Sequence, residues 1–291
     1  MSRRALDAVY ALDKSEFTAA FGGIYEHSPW VAERAWSARP FASVTALAAA
    51  MSAVVAAAAE SEQLALLRAH PDLAGKAALA GELTAASSAE QARAGLDRLT
   101  QFELERFTKS NAAYAERFGF PFIIAVKHWG KSHVLAAYDH RLTNTRDQEL
   151  RTALAEVDKI AFLRLLDQVQ PAPTGRLTTH VLDTARGKPA GGVSLTLYWF
   201  DRAGERREIK RARTNADGRL DAPALAGAEM ETGRYELVFE AGEYFLANGL
   251  VVTMPAFLDR VPIEFAIANP ETHYHVPLLL SPWSFSTYRG S

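Results

Sequence analysis

The chain has 291 residues, which is long for one domain and comfortable for two, since domains usually contain about 100–150 residues. Hydrophobic residues make up 48% and charged residues 23%, and the net charge of -2 predicts no attraction to nucleic acid or an anionic membrane. The absence of cysteine excludes disulfides, thiolate nucleophiles and thiolate metal sites together. The longest apolar run, around residues 44–59, is shorter than the roughly 20 residues that a bilayer crossing needs, and no secretion signal opens the chain. We therefore expect a cytoplasmic protein without membrane or nucleic-acid partners.

The first part of the chain has the patterning of helices. Apolar residues follow helical spacing from Phe17 to Tyr25, with Ser15 placed to cap the start. An Ala-rich stretch from Val44 and an amphipathic stretch over 99–118 predict two further helices. A last helix is predicted over 146–168, because its apolar residues repeat at about 3.5 positions, which suits bundle packing. The sequence thus predicts an all-α, helical bundle-like domain over residues 1–170.

The character of the sequence changes after residue 170. Two prolines and a glycine within 171–176 predict a short, stiff linker. Turn signals such as Asp217-Gly218 then separate short β-like runs, which predict an all-β sandwich over 177–291. These runs cover residues 177–182, 193–200, 206–214, 234–240, 261–267 and 274–280. One short helix is predicted near residues 241–248.

Histidines and an arginine concentrate in the second domain, namely His180, Arg219, His273 and His275. On a strand, His273 and His275 share a face. Imidazoles on one face can ligate zinc, which is one interpretation. The other is metal-free acid–base chemistry, in which a neutral histidine activates water and an arginine holds an anionic substrate. Histidines without a chemical role fit a lone His-x-His equally well, so the residue pattern alone leaves all three open.

These segments closely resemble the 5-hydroxyisourate hydrolases, the transthyretin-related family, over nearly all of 177–291. The most specific pieces are His-Tyr-His-Val-Pro-Leu-Leu-Leu-Ser-Pro from residue 273 and the final Ser-Thr-Tyr-Arg-Gly-Ser. The resemblance implies a transthyretin-like β-sandwich without metal or cofactor. It also implies a homo-oligomer, a tetramer through this domain with sites at subunit interfaces. The implied catalytic residues are His180, Arg219, His275 and Tyr288, with Ser291 contacting the substrate.

The chemistry implied is hydrolytic opening of the lactam ring of 5-hydroxyisourate. His180 and His275 would orient and deprotonate water, and Arg219 would offset negative charge that develops in the transition state. Tyr288 would position the ring. His273 is expected either to support the catalytic residues or to face solvent. Because transthyretin, the hormone carrier, has lost this residue set, its presence favours a hydrolase over a carrier.

Taken singly, three features of the helical domain can be explained by structural roles without any chemistry. His70 precedes Pro71, which disfavours helix and predicts a helix end. Ser87 and Glu90 have the spacing of a capping box, which would satisfy the free amides of a new helix. The apolar stretch over 120–126 is typical of core.

Together with the segments 24–31 and 156–161, these features resemble the decarboxylases of 2-oxo-4-hydroxy-4-carboxy-5-ureidoimidazoline (OHCU), over about residues 10–169. The resemblance implies cofactor-free decarboxylation, with His70 as the catalytic acid and Glu90 beside it. Lys127 and His128 lie where the pattern departs from the family's and receive no role. The residues implied to contact substrate are Pro71, Ser87, Ser88, Ala89, Gln91, Phe122, Ile123, Ile124, Ala125, Val126 and Arg164.

The two resemblances, in different halves, name consecutive reactions on small-molecule substrates, since the hydrolase product is the decarboxylase substrate. The alternatives left open are a carrier or scaffold with a transthyretin-like sandwich, a chain with one active domain, and a zinc hydrolase. A dimer contact through the N-terminal domain also stays open.

Overall fold

The computed structural model describes residues 3–74, 84–127, 130–201, 204–250 and 253–290. The chain divides into two compact units, Met1–Gln170 and Pro171–Ser291. The first unit is helical and the second is built from β-sheets. A two-domain architecture with a helical N-terminal region and a β-sheet C-terminal domain, as predicted from the sequence, is therefore confirmed.

The first unit contains helices of five to 23 residues. Its core is rich in aromatic side chains, and it also buries an ion pair between Arg141 and Glu149, a carboxylate that also accepts from Tyr114. The helices are α1 (Leu6–Tyr10), α2 (Lys14–Phe21), α3 (Pro29–Ala35), α4 (Val44–Ala57), α5 (Glu60–Arg68), α6 (Ala85–Arg93), α7 (Gln101–Phe118), α8 (Lys131–Arg141) and α9 (Arg146–Gln168).

Capping residues fix where these helices begin. Thr145 accepts from the backbone N–H of Gln148 while the Gln148 side chain accepts from the Thr145 N–H, so α9 begins with a capping box at the predicted residue. The predicted cap at Ser15 is wrong. Asp13 caps α2 instead, accepting from the Glu16 N–H at 2.8 Å, because this pair forms the reciprocal box and Ser15 falls inside the helix.

No single helix in the described ranges is long and apolar enough to cross a membrane. Helices α4 and α5 reach that length and composition only as a pair, and they are bent by 117° at the break between them. Val44, Leu47, Met51 and Val55 of α4 are buried in the core of the first unit.

Among its described residues, the second unit contains short strands in three hydrogen-bonded sheets, a 3₁₀ turn at Gly227–Glu229 and the α-helix α10 (Ala241–Ala247). The sheet orders are β6-β1-β9, β11-β10-β2-β3 and β5-β4-β7-β8. The strands are β1 (Arg176–Thr178), β2 (Val181–Asp183), β3 (Lys188–Pro189), β4 (Ser194–Phe200), β5 (Arg206–Arg213), β6 (Leu225–Ala226), β7 (Gly233–Glu240), β8 (Arg260–Ile267), β9 (His273–His275), β10 (Leu278–Leu280) and β11 (Phe285–Thr287).

Two of the predicted strand runs are each divided into two strands. The run 177–182 becomes β1 and β2, and the run 274–280 becomes β9 and β10, with β1 parallel to β9 and β2 parallel to β10. At the first break the Val181 N–H donates to Gly218 O, while His180 O accepts from the Leu278 N–H. The chain therefore passes from one sheet to the next at His180.

The segment 171–176, predicted as a linker, is hydrogen-bonded within the second unit. The Ala172 N–H and the Thr174 hydroxyl both donate to Glu271, each at 2.8 Å. A Cβ on Gly175 would lie 1.9 Å from Pro270 O, so glycine permits this close approach. Proline and glycine keep the segment irregular while its polar groups bond to a neighbouring turn.

Candidate active sites

His70 lies two residues beyond the end of α5, as its position before Pro71 predicts. Its side chain is 8% exposed, and its Nδ1 lies 3.0 Å from Leu66 O, so Nδ1 donates to that carbonyl and Nε2 remains free to exchange a proton. Burial lowers the pKa of His70, whereas the Leu66 carbonyl and the charge of Glu26 act in the opposite direction. Burial outweighs the other two influences, so the pKa of His70 lies below its usual value.

His70 faces a partly open cavity of about 370 Å³, a volume that includes solvent at its mouth. The wall combines aliphatic side chains with a small set of polar ones, which is typical of small-molecule sites. The lining residues are His70, Pro71, Leu73, Ser87, Glu90, Gln91, Phe122, Ile123, Ile124, Val126, Ile160 and Arg164.

Three predicted contact residues do not line this cavity. Ser88 and Ala89 are exposed, because α6 turns Ser87, Glu90 and Gln91 toward the cavity and these two away from it. Ala125 lines an adjoining cavity of about 320 Å³, and its N–H donates to Glu156 at 2.9 Å.

Arg164 is the centre of the polar network in the cavity wall. Its guanidinium forms a two-point contact with Glu90, Nε to Oε1 at 2.8 Å and Nη2 to Oε2 at 2.9 Å. Its Nη1 donates to Glu26 Oε2 at 2.8 Å, and Nη2 lies 3.3 Å from Ser87 Oγ. A planar guanidinium thus holds two carboxylates in fixed positions beside the cavity.

Glu26 is a member of this network to which the sequence assigned no role. It is 2% exposed, and it accepts from the Thr84 hydroxyl at 2.7 Å and the Ser87 hydroxyl at 3.1 Å as well as from Arg164. Burial raises the pKa of Glu26, but Thr84 and Arg164 more than offset this, so the pKa lies below its usual value. The sequence signal was a lone acidic residue beside apolar ones, which does not reveal a partner 138 positions away.

The backbone around the cavity is fixed from behind by buried polar side chains. Asn111 Nδ2 donates to Leu73 O at 2.8 Å, and Arg141 Nη1 donates to Ile123 O at 2.7 Å. Gln91 Oε1 accepts from the Ala74 N–H at 2.9 Å. These bonds satisfy the backbone of an irregular segment and keep the cavity wall in place.

In the second unit, the sheet breaks bring distant residues together. His180 lies between β1 and β2 and forms an isolated bridge with Arg219, while His275 ends β9 and forms another with Gly290. Thr178, two residues before His180, pairs with His275 across the parallel strands, and the charge of His180 is among the causes that lower the pKa of His275. Of the predicted set, His180, Arg219 and His275 therefore form one cluster.

Both histidines of this cluster favour the neutral form. Burial lowers the pKa of His180 and of His275, and the positive charge of Arg219 is the next cause for each. The Nε2 atom of His180 is buried and has no hydrogen-bond partner among the described residues. An unpartnered, neutral ring nitrogen can accept a hydrogen bond or a proton from a bound water or substrate.

Two glycines allow the backbone to pass close to these rings. A Cβ on Gly218, whose φ is +71°, would lie 2.2 Å from Val181 O and 3.3 Å from His180 Cδ2. A Cβ on Gly290 would lie 2.7 Å from His275 Cδ2. Both positions therefore require glycine for the rings to keep their places.

Arg219 is exposed, and the Tyr288 side chain is 59% exposed. Ser291, the remaining predicted contact, lies outside the described residues, as does His128. Within the part of the chain that is described, no group of three or more potential ligands is arranged to hold a metal ion. His273 and His275 instead share the hydroxyl of Thr178.

A buried histidine–arginine–carboxylate cavity in one unit and a histidine–arginine cluster in the other define a chain of two enzyme domains. The OHCU decarboxylase family model matches residues 10–166, and the HIUase/transthyretin family model matches residues 177–290. The chain therefore belongs to the OHCU decarboxylase family through its first unit and to the HIUase/transthyretin family through its second.

Individual relatives agree with both assignments. A 5-hydroxyisourate hydrolase of Mesorhizobium japonicum is 57% identical over 43% of this chain and 98% of its own length. An OHCU decarboxylase of Haloferax volcanii is 49% identical over 58% of this chain and 98% of its own. A solved structure of an (S)-allantoin synthase is 40% identical, covers 99% of this chain and 100% of its own, and superposes with a TM-score of 0.82.

Proposed function

We infer that the chain catalyses two consecutive steps of urate breakdown. The second unit hydrolyses 5-hydroxyisourate to OHCU, and the first decarboxylates OHCU stereospecifically to (S)-allantoin. The observation that carries this inference is the presence, in one chain, of the cavity around His70 and Arg164 and the cluster around His180 and His275. The full-length similarity to an (S)-allantoin synthase supports the same combination.

In the decarboxylation, the bond between the ring carbon and the carboxylate breaks and carbon dioxide leaves. Its electron pair passes into the imidazoline ring, which makes a cofactor unnecessary. His70, which has taken up a proton from solvent at Nε2, then delivers it to one face of the carbanion, which gives a single enantiomer, and solvent protonates Nε2 again for the next turnover. The aliphatic side chains of the wall are proposed to keep water away from the reacting carbon.

Arg164 and Glu90 would orient the substrate of this step. Held at two points by Arg164, the Glu90 carboxylate can accept hydrogen bonds from the ureido and ring N–H groups. The Ser87 hydroxyl and the Gln91 amide lie on the same face of α6. The Gln91 amide N–H is proposed to donate to a substrate oxygen, and Ser87, whose O–H is donated to Glu26, is proposed to contact the substrate through its oxygen.

In the hydrolysis, His180 and His275 are proposed to orient a water molecule and remove its proton. The hydroxide attacks the lactam carbonyl, the carbon–nitrogen bond breaks, and the proton is returned to the leaving nitrogen. Arg219 offsets the negative charge on the carbonyl oxygen in the transition state. Tyr288 and Ser291 are proposed to hold the ring.

We propose that the second unit is a transthyretin-like sandwich that assembles as a homo-tetramer. Strand β11 is exposed along its whole length at the edge of its sheet, and Tyr288 follows it directly. An exposed edge strand can pair with another chain. Arg219 and Tyr288 would then be covered by a neighbouring subunit. The first unit is proposed to be bundle-like and able to contribute a dimer contact.

The two activities are tested by generating 5-hydroxyisourate from urate with urate oxidase and following ultraviolet absorbance and circular dichroism together. Fast loss of the first intermediate followed by a persistent dichroic signal of one sign is expected. His70→Asn should leave slow drift to racemic allantoin, whereas His180→Asn should slow only the first step. His140→Asn, at an exposed position of α8, is the matched control. Folded wild-type protein that accelerates neither step would support the carrier alternative.

A further inference from the structure

The hydroxyl of Thr178, the last residue of β1, lies between two imidazole rings. Its Oγ1 is 2.7 Å from Nε2 of His273 and 2.9 Å from Nδ1 of His275, and the ring centroids are 6.3 Å apart. The parallel register places Thr178 opposite His275, and His273 is on the same face two residues earlier. One hydroxyl therefore serves two histidines, only one of which has a proposed chemical role.

The two rings share one hydroxyl, so the few protons available for these hydrogen bonds couple the tautomers of the two rings. Burial, followed by the charge of Arg176 for His273 and of Arg219 for His275, lowers both pKa values. Each ring is therefore neutral near neutral pH and carries one N–H, and the hydroxyl carries one O–H. The other acceptor for that O–H, the carbonyl of Tyr274, is 3.5 Å away, beyond the usual range.

One ring must consequently donate to Oγ1 while the other accepts from it. If His275 donates from Nδ1, the Thr178 O–H donates to His273 Nε2, and both rings are protonated at Nδ1. In the reverse arrangement both rings are protonated at Nε2. The position of the proton on His275 is therefore tied to its position on His273.

We propose that Thr178 and His273 are positioning residues that hold His275 in its Nδ1–H form, so that Nε2 is the unprotonated base. This rests on the proposed hydrolase function. The backbone of Gly290 lies on the other side of the ring, where an added Cβ would be 2.7 Å from Cδ2, so no side chain fits between them. The hydrogen bond from Nδ1 and the backbone on the other side therefore fix both the tautomer and the orientation.

The arrangement also accounts for the proton during the reaction. When Nε2 of His275 removes a proton from water, the ring becomes an imidazolium and its Nδ1–H bond to Oγ1 becomes charge-assisted and stronger. Thr178 keeps donating to His273, which stays neutral. Nε2 then returns the proton to the leaving nitrogen, and the initial state is restored. The charged and titratable groups facing the pair, Arg176, Arg219 and His180, are unaltered by a change at Thr178.

The coupling is tested by NMR on the full chain labelled with nitrogen-15 in histidine. Long-range proton–nitrogen correlations distinguish the two tautomers, and we expect His273 and His275 both to be protonated at Nδ1. In Thr178→Val, His275 should show a mixture of tautomers. His273→Phe, which removes the acceptor, should have the same effect on His275. A wild-type His275 protonated at Nε2, or rings with opposite tautomers, would overturn the proposal.

Kinetics provide a second, independent measurement. Thr178→Val should lower kcat for 5-hydroxyisourate hydrolysis by at least about tenfold with little change in KM, because a wrong tautomer removes the base. Thr178→Ser, which keeps the hydroxyl, should restore most of the rate. The control is Thr184→Val, which removes a hydroxyl bonded to Leu280 O in the same unit. A Thr178→Val rate equal to that of wild type contradicts the positioning role, whereas a wild-type chain without hydrolase activity contradicts the proposed function itself.

Discussion

Replacing Glu26 with glutamine tests whether this buried carboxylate supports the decarboxylase cavity. Glutamine keeps the shape, so its carbonyl can still accept from Arg164 and Ser87, but the charge is lost. Hydrogen bonds to charged groups contribute about 1.5–3 kcal/mol against about 0.5–1.5 for neutral ones. Glu26 accepts three such bonds, from Thr84, Ser87 and Arg164, while Glu90 still neutralises Arg164. We therefore expect the first unit to lose about 1–3 kcal/mol of stability at neutral pH.

The stability difference between wild type and Glu26→Gln should also depend on pH. Because the folded-state pKa of Glu26 is below its usual value, its stabilisation is present above the unfolded pKa and is lost as the pH falls through the folded one. Chemical denaturation of wild type and Glu26→Gln should therefore converge in acid. The charge of Glu26 also raises the pKa of His70, so in the variant the high-pH limb of decarboxylation should move to lower pH. Equal stability at neutral pH, or an unmoved limb, would refute the reasoning. Glu62→Gln, at an exposed ion pair with Arg34, is the control.

Three further outcomes are expected. Arg164→Lys loses the two-point contact with Glu90. The rate at which the dichroic allantoin signal forms should therefore fall about 10–100-fold, while the rate of 5-hydroxyisourate hydrolysis stays unchanged. An unchanged rate of the allantoin signal would show that Arg164 does not orient the substrate. Gly218→Ala introduces a Cβ only 2.2 Å from Val181 O at a φ of +71°. The second unit should lose about 1–3 kcal/mol of stability in denaturant melts, and hydrolase activity should be lost. A melt identical to that of wild type contradicts the packing argument. Burial and Arg219 lower the pKa of His180 and His275. The rate of hydrolysis should therefore rise with pH only below the usual histidine pKa of 6.5 and be flat above neutrality. A rate that continues to rise well above pH 7 would exclude these histidines as bases.

The helical half was predictable where local signals decide the structure. Helix α9 spans the predicted 146–168 because the capping box at Thr145 and the apolar repeat agree. Ser87 and Glu90 show the limit of such signals. Their spacing allows a capping box, but Thr84 caps α6, and Ser87 and Glu90 lie inside it. Their partner Arg164 is more than 70 residues away, and no local pattern contains that contact.

The β half was predictable in its strands and less so in their pairing. The predicted run 193–200 forms β4 over 194–200, one residue shorter than predicted. The run 177–182 breaks at His180, because Gly218 and Leu278 offer backbone partners there that the sequence does not reveal. The site residues themselves were predicted through the family resemblance, since a lone His-x-His left metal binding and surface roles open. Thr178 was missed because a threonine in a strand is ordinary.

The place of His180 at the junction of two sheets affects how this site can change over evolutionary time. Its carbonyl is engaged by the Leu278 N–H, and its neighbour Val181 donates to Gly218. Inserting or deleting a residue there would shift the register of two sheets at once, whereas surface loops tolerate changes in length. Adaptation to a new ring substrate is therefore confined to side-chain replacements around a backbone of fixed length. Arg219 and Tyr288, whose side chains are exposed within the single chain, are two positions open to such replacements.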